Sequence, residues 1–287
     1  MDAEHLRTLT AVVDAGSFEG AADDLSITPS AVSQRIRALE VRLGRPVVVR
    51  GRPTVPTEAG AVLLRLARQV DLLERDALAE LGVGGGSRRI SLVINSDSLA
   101  TWALPALAAV AREHPVEYEI RREDQDHSAA ALREGTAVAA VTSLGTPIPG
   151  CRVRRLGSMR YRPMATPAYV ARWFPDGATA DALASAPVVV FDRTDDLQFR
   201  WLRQRSRRPL APPVHYVPES TTYANAVRLG LGWGMVPDAQ ADPGLVELTP
   251  GGAIGVPLFW QQWRLDSPVL TALADALAAA CPSRGPR

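Results

Sequence analysis

The chain has 287 residues, 46% of them hydrophobic and 22% charged, with a formal net charge of +1. That length accommodates two or three compact domains. No apolar run approaches the roughly 18–20 residues of a membrane span, and MDAEHLRTLT lacks the basic stretch and apolar core of an export signal, so a membrane protein is excluded and the cytoplasm is expected.

Leu6, Leu9, Val12 and Val13 recur at helical spacing until Gly16 stops the helix. Ser17 can cap a second short helix whose packing face is Ala21, Ala22 and Leu25; small alanines let two steeply crossed helices approach closely. After Ser26-Ile27-Thr28, Thr28 is an N-cap and Pro29 the first residue of a third helix. Its apolar stripe is Ala31, Val32, Ile36, Leu39 and Leu43, and its other side carries Ser30, Ser33, Gln34 and Arg37. Helix, short turn and a second helix with such a face form a helix-turn-helix, which places the second helix in the DNA major groove. Gln and Arg can reach base edges bidentately, and Ser can hold phosphate; the bland alternative is a solvated helix face.

Residues 44–55 favour DNA. Gly44-Arg45-Pro46 ends the helix, Val47-Val48-Val49 reads as a strand, Arg50-Gly51-Arg52-Pro53 as a basic turn and Thr54-Val55 as the return: a wing with arginines at its tip. Charge is distributed to match. Residues 1–28 carry one arginine against six acids, whereas residues 29–68 carry eight arginines against two acids, a local basic stripe suited to phosphate. All 32 basic residues are arginine, which reads as codon pressure rather than function.

The run from Leu6 to Gly60, with GSF, AA-x-x-L, TPSAVSQ-x-I-x-x-LE-x-x-LG and T-x-AG in order, resembles the DNA-binding region of LysR-type transcriptional regulators. The resemblance implies a winged helix-turn-helix contacting double-stranded promoter DNA through Pro29, Ser30, Ser33, Gln34, Arg37 and the wing residues Arg50 and Arg52. One departure lies in the first wing strand, where the family usually has Phe and Arg and this chain has three valines.

Thr57 can cap a helix running to about Leu81, along which Ala59, Val62/Leu63, Leu66, Val70, Leu73, Ala77 and Leu81 step by three and four. Such a seam packs either on the protein's own core or on a second copy; in the family this is a dimerising linker helix, implying a homodimer or homotetramer. Val83-Gly84-Gly85-Gly86-Ser87 then supplies a hinge.

Beyond it, strands are expected at Ile90–Ile94, Val116–Ile120, Val138–Val141, Val153–Leu156, Val188–Phe191, Val214–Val217 and Met235–Val236, with helices at 98–113, 128–134 and 222–229. Alternation of this kind indicates an α/β architecture with mostly parallel strands. The region resembles the two-lobed LysR effector domain, itself similar to periplasmic binding proteins, with a ligand cleft between lobes. The implied division is 1–58 winged helix-turn-helix, 59–87 linker helix and hinge, 88–161 plus 265–287 first lobe, and 162–264 second lobe.

Open α/β sheets bind ligands beyond the carboxyl ends of their strands. That rule selects Ser96, Asp97 and Ser98 after the first strand, Glu123, Asp124 and Asp126 after the second, Thr142 and Ser143 after the third, and then Asp192 and Glu219. Each acid alone reads as a solvated loop residue; several at different strand ends suit an amino acid with a basic side chain. NSDSLATW, REDQDH, PVVVFDRTDD, LGLGWGMVP and WQQWRLDSPVL further resemble the LysG or ArgP branch of the family, which implies a response to lysine or arginine and control of basic amino-acid export. LGLGWG follows a helix and precedes a strand, the reverse of a dinucleotide fingerprint, so Gly230–Gly234 reads as a close-passing turn, with Trp233 either lining the cleft or packed.

Cys151 and Cys281 fit no metal or redox spacing, the four histidines are scattered, and no HExxH, GxSxG or GxxxxGK[ST] occurs. No metal, cofactor or catalytic residue is therefore implied. A two-lobed enzyme and an architectural DNA-binding protein are the rival readings; neither accounts for basic stripe, seam, hinge and cleft together.

Overall fold

The computed structural model describes residues 2–83, 88–122 and 125–282. α1 (Ala3–Ala15) is capped by the Asp2 carboxylate, which accepts the Glu4 amide at 3.1 Å, and ends at Gly16 in the left-handed conformation. Ser17 caps α2 (Phe18–Leu25) through the Gly20 amide at 3.0 Å. Thr28 caps α3 (Pro29–Leu43) through the Ala31 amide at 3.2 Å, with Pro29 in the first turn, where its missing N–H costs nothing. Leu9, Val12, Ala21, Ala22, Val32, Ile36 and Leu39 are buried together as one small core.

The wing sits one residue later than expected. β1 (Val48–Val49) pairs antiparallel with β2 (Val55–Pro56), and Val47 is instead fully buried in the helical core. The Val47 carbonyl accepts the Thr57 amide at 3.1 Å, and a Cβ on Gly60 would lie 1.8 Å from that oxygen. Only glycine therefore fits at position 60, where the next helix passes the wing.

That helix, α4 (Glu58–Glu80), has 23 residues and is about 35 Å long. Its Leu63 and Ala67 complete the DNA-binding core, and its Leu72 belongs to the core of the following domain. The opposite face, Val62, Leu66, Val70 and Leu73, is exposed.

In the effector region β3 (Arg88–Ile94) lies between β4 (Val116–Arg122) and β5 (Ala139–Thr142), parallel to both. The helix expected over 98–113 is segmented into α5 (Ser96–Ser98), a π-helical turn at Leu99–Ala103 and α6 (Leu104–Glu113). Pro105 explains the wide turn: it donates no hydrogen bond to the Thr101 carbonyl, and its ring crowds that group. α7 (Gln125–Glu134) leads to β5.

The chain leaves the first lobe on β6 (Cys151–Ala165), much longer than the four residues expected. The second lobe contains α8 (Pro167–Trp173), α9 (Ala180–Ser185), β7 (Val188–Val190), α10 (Leu197–Arg203), β8 (Val214–Tyr216), α11 (Ser220–Arg228), β9 (Gly234–Pro237) and β10 (Val246–Glu247). The chain returns on β11 (Ile254–Trp263) and ends in α12 (Pro268–Ala280). Seven strands form one sheet in the order β10-β6-β11-β5-β3-β4, with β9 also on β6.

The expectation of mostly parallel strands is corrected here: β6 is antiparallel to β9, β10 and β11, and β11 is antiparallel to β5. Two neighbouring strands that carry the chain out of a lobe and back must run in opposite senses. β6 crosses the 161/162 division without interruption. β11 pairs with β6 along its length and also with Ala139–Thr142 through Phe259–Gln262, so its C-terminal half is attached to the first lobe. Among the described residues no helix is long and apolar enough to cross a membrane.

Candidate DNA interface and effector cleft

Pro29, Ser30, Gln34 and Arg37 are exposed on α3, and Ser33 is half-buried. The buried stripe of α3 faces α1 and α2, which turns these side chains outward on one continuous surface. Arg35 faces differently: it pairs with Glu4 at 3.0 Å and reaches the Thr8 hydroxyl at 3.5 Å, so it ties α3 to α1. Arg37, Arg42, Arg45, Arg50 and Arg52 form no ion pair among the described residues and present a basic edge suited to phosphates. Arg50 stands over the Phe18 ring at 5.0 Å, which braces the wing against the start of α2.

A largely buried arginine joins this domain to the effector region. Arg68 of α4 donates to the Asp14 carboxylate on α1 and to the Gly135 carbonyl after α7. Burial pushes the Asp14 carboxyl up, and Arg68 pulls against that shift. Arg7 adds a second tie from α1 to Glu74 of α4 at 2.7 Å.

Between the lobes lies a cavity of about 800 Å³, within the range of small-molecule sites, roughly 300–1,000 Å³. Ser96, Asp97, Thr142 and Asp192 line it, as does Ser143. Ser98 does not: it is fully buried beneath the cleft, its hydroxyl without a hydrogen-bond partner among the described residues. Glu219 does not line it either. Its carboxylate caps α11, accepting the Thr221 and Thr222 amides at 3.0 and 2.7 Å and the Thr222 hydroxyl at 2.7 Å, which lowers its pKa to about 2. Glu123 and Asp124 lie outside the described residues, as does the side chain of Asp126 on α7.

Asp97 is engaged on both oxygens. Tyr161 on β6 donates to one at 2.6 Å, and Ser220 at the start of α11 donates to the other at 2.6 Å. Burial and the neighbouring Asp97 charge drive the Tyr161 hydroxyl well above its ordinary pKa, keeping it a donor. Asp97 therefore clasps the first lobe to the second. Asp192 is also partly committed, one oxygen accepting the Thr194 amide and hydroxyl at 2.7 and 2.6 Å and the Asp195 amide at 3.1 Å.

Sequence reasoning missed several cleft residues: Tyr161 on the crossing strand, Arg122 at the end of β4, and Asp195 and Gln198 around the start of α10. Arg122 forms no ion pair among the described residues. Asp195 had a readable signal, since an aspartate whose side chain closes its own turn, as Asp192 does, sends the chain on to the next acid in DRTDD. The glycine-rich turn behaves as expected of a close passage: a Cβ on Gly232 would lie 2.8 Å from the Pro187 carbonyl oxygen. Trp233 packs rather than lines the cleft, fully buried with its ring 5.1 Å from that of Trp201.

Residues 3–61 match the family described as bacterial regulatory helix-turn-helix protein, lysR family, and residues 84–282 match the LysR substrate binding domain. An HTH-type transcriptional regulator LysG of Mycobacterium tuberculosis is 45% identical over 98% of this chain and 93% of its own length. The lysine export transcriptional regulatory protein LysG of Corynebacterium efficiens is 43% identical over 98% of both. The crystal structure of ArgP from Mycobacterium tuberculosis superposes with a TM-score of 0.89 at 45% identity over the whole of both chains. Full-length LysG from Corynebacterium glutamicum with bound effector Arg gives 0.79 at 38% identity over 98% of both. With both halves matched in order by one family, and with the exposed α3 face and the interlobe cleft in the corresponding halves, this chain belongs to the LysR family of helix-turn-helix transcriptional regulators.

Proposed function

We propose that this regulator senses lysine or arginine in the cytoplasm and controls a basic amino-acid exporter or related genes. The observation that carries the reading is the chemistry of the cleft: acids on its wall at Asp192 and Asp195, with Arg122 and the hydroxyls of Ser96, Thr142 and Ser143 also facing it. A zwitterion with a cationic side chain needs acceptors at one end and donors at the other. The relatives named for lysine export, and the one bearing arginine, support the same effector class.

DNA contact is assigned to Pro29, Ser30, Ser33, Gln34, Arg37, Arg50 and Arg52, and self-association to the exposed seam of α4. The working domain division is 1–58, 59–87, 88–161 with 265–287, and 162–264. Effector binding biases the angle between lobes, and α4 passes that bias to the DNA-binding units; the shift is bounded by the effector's difference in affinity for the two states.

Calorimetric titration with lysine, arginine, histidine and a neutral amino acid tests the effector class. Selective heat from a basic amino acid is the expected result, and no binding by either lysine or arginine removes the reading.

A further inference from the structure

α7 runs from the effector cleft to the DNA-binding domain. Ser128 in its first half lines the cleft, as does Arg122 just before the helix, and Gly135 at the far end lies roughly 10 Å along the axis from Ser128. Between the two, Ala129, Ala131 and Leu132 are packed in the effector core, and the Trp263 indole of β11 donates to the Leu132 carbonyl at 3.2 Å. At Gly135 the chain meets α4 backbone to backbone: a Cβ there would lie 2.7 Å from the Arg65 Cα and 2.9 Å from the Arg65 nitrogen, and φ is +78°. Arg68, three residues further along α4, closes the contact. Its guanidinium donates to the Gly135 carbonyl, a cation at the negative end of α7, and to the Asp14 carboxylate of α1. α4 grips the DNA-binding domain in the same way, since Gly60 passes the Val47 carbonyl with no room for a side chain, and Leu63 and Ala67 lie in that domain's core.

We propose that α7 carries the state of the cleft to the DNA-binding domain, with Gly135, Arg65 and Arg68 as the positioning residues at its output end. The inference rests on the reading above only in taking the cleft as the effector's seat, and it names the step that precedes α4. Most helix contacts are cushioned by side chains, whose rotamers can absorb small shifts. No Cβ stands between Gly135 and Arg65, or between Gly60 and Val47, so a displacement of α7 reaches the wing without that slack. The docked and undocked forms of this junction are the two states, and a ligand shifts their balance by its difference in affinity for them. Coupling between two binding sites is reciprocal, so DNA held by α3 must also be felt along α7.

Hydrogen exchange on the full chain tests this with no amino acid present, the probe being a DNA fragment selected by the wild-type protein. In the wild-type protein, DNA is expected to slow exchange of the amides of residues 129–134 by about fivefold or more, the lower end of ordinary coupling. Arg68→Met leaves the sequence of α7 intact. It is expected to speed exchange of those amides about fivefold, the factor that one net hydrogen bond contributes, and to abolish the DNA effect on them. Arg7→Met breaks the Arg7–Glu74 pair, which joins α1 to α4 without reaching α7, and should keep the wild-type pattern. DNA that binds the wild-type protein and leaves residues 129–134 unchanged overturns the proposal, as does an Arg68→Met protein that keeps the full DNA effect. Loss of the effect in Arg7→Met as well overturns it too, because the junction would then be one of several interchangeable ties. Each of these failures leaves the effector class standing, which calorimetry with lysine and arginine decides separately.

Discussion

Replacing Leu66 and Leu73 of α4 with glutamine is expected to separate the dimer while leaving each chain folded. Val62, Leu66, Val70, Leu73 and Leu78 keep 54, 38, 40, 42 and 39% of their surface exposed, although Leu63, Leu64, Ala67 and Leu72 on the same helix are buried. Fully burying such a side chain contributes about 1.5–3 kcal/mol, so covering what remains exposed here contributes about 1 kcal/mol each. Five positions on each of two helices then give about 10 kcal/mol, comparable with the roughly 4–15 kcal/mol that association costs. The double variant removes four of those contributions per dimer, weakening association by about 4 kcal/mol, or roughly a thousandfold. Glutamine is a good helix former, so helicity by circular dichroism and the thermal midpoint should change little. Sedimentation equilibrium across a concentration series reads the association constant directly. A variant that associates as tightly as the wild type would refute the assignment of this seam as the contact between copies.

The same geometry sets three further outcomes. Arg37→Ala should weaken binding to a DNA fragment selected by the wild-type protein by about 1–3 kcal/mol while barely changing affinity for random DNA; equal losses on both in an anisotropy titration would reduce Arg37 to a phosphate contact. Arg68→Met should cost about 1 kcal/mol in urea unfolding, because Asp14 loses its cation and the Gly135 carbonyl its donor; an unchanged midpoint would show that this junction is not formed in solution. Glu219→Ala should cost about 1 kcal/mol near neutral pH by uncapping α11. Because the folded pKa of Glu219 is depressed, that difference is complete above the ordinary value of 4.5 and fades as pH falls toward about 2. A difference that is constant from pH 6 to pH 3 would contradict the capping role.

The DNA-binding third was legible because its determinants are local. Ser17, Thr28 and Thr57 each cap a helix within three residues of themselves, and Gly16 and Gly44 end helices in the left-handed conformation their lack of a side chain allows. The effector cleft was half legible for the opposite reason. Strand ends led to Ser96, Asp97, Thr142 and Asp192, all on the cavity wall. The engagement of Asp97 by Tyr161 and Ser220, 64 and 123 residues away, depends on chain crossings that local patterns do not encode. β6 was foreseen only over Val153–Leu156 because five arginines interrupt its alternation, and β11 escaped notice because Pro257 sits within it, tolerable there only because β11 has no third strand beside that residue.

That same stretch limits what an effector can say to the rest of the molecule. From Gly157 to Arg160 and from Gly255 to Leu258 the backbone connection between the lobes, among the described residues, is the pair β6 and β11, beside the side-chain clasp of Asp97 with Ser220; β5 attaches only from Phe259, and β9 only from Tyr161. A two-stranded ribbon bends readily across its face but resists shear along its hydrogen bonds. The lobes consequently have one soft coordinate, and different molecules in the cleft can differ in how far they move along it but not in which direction. Inducers and antagonists become positions on a single dial, and a compound holding the lobes midway should yield a partial response rather than a new one.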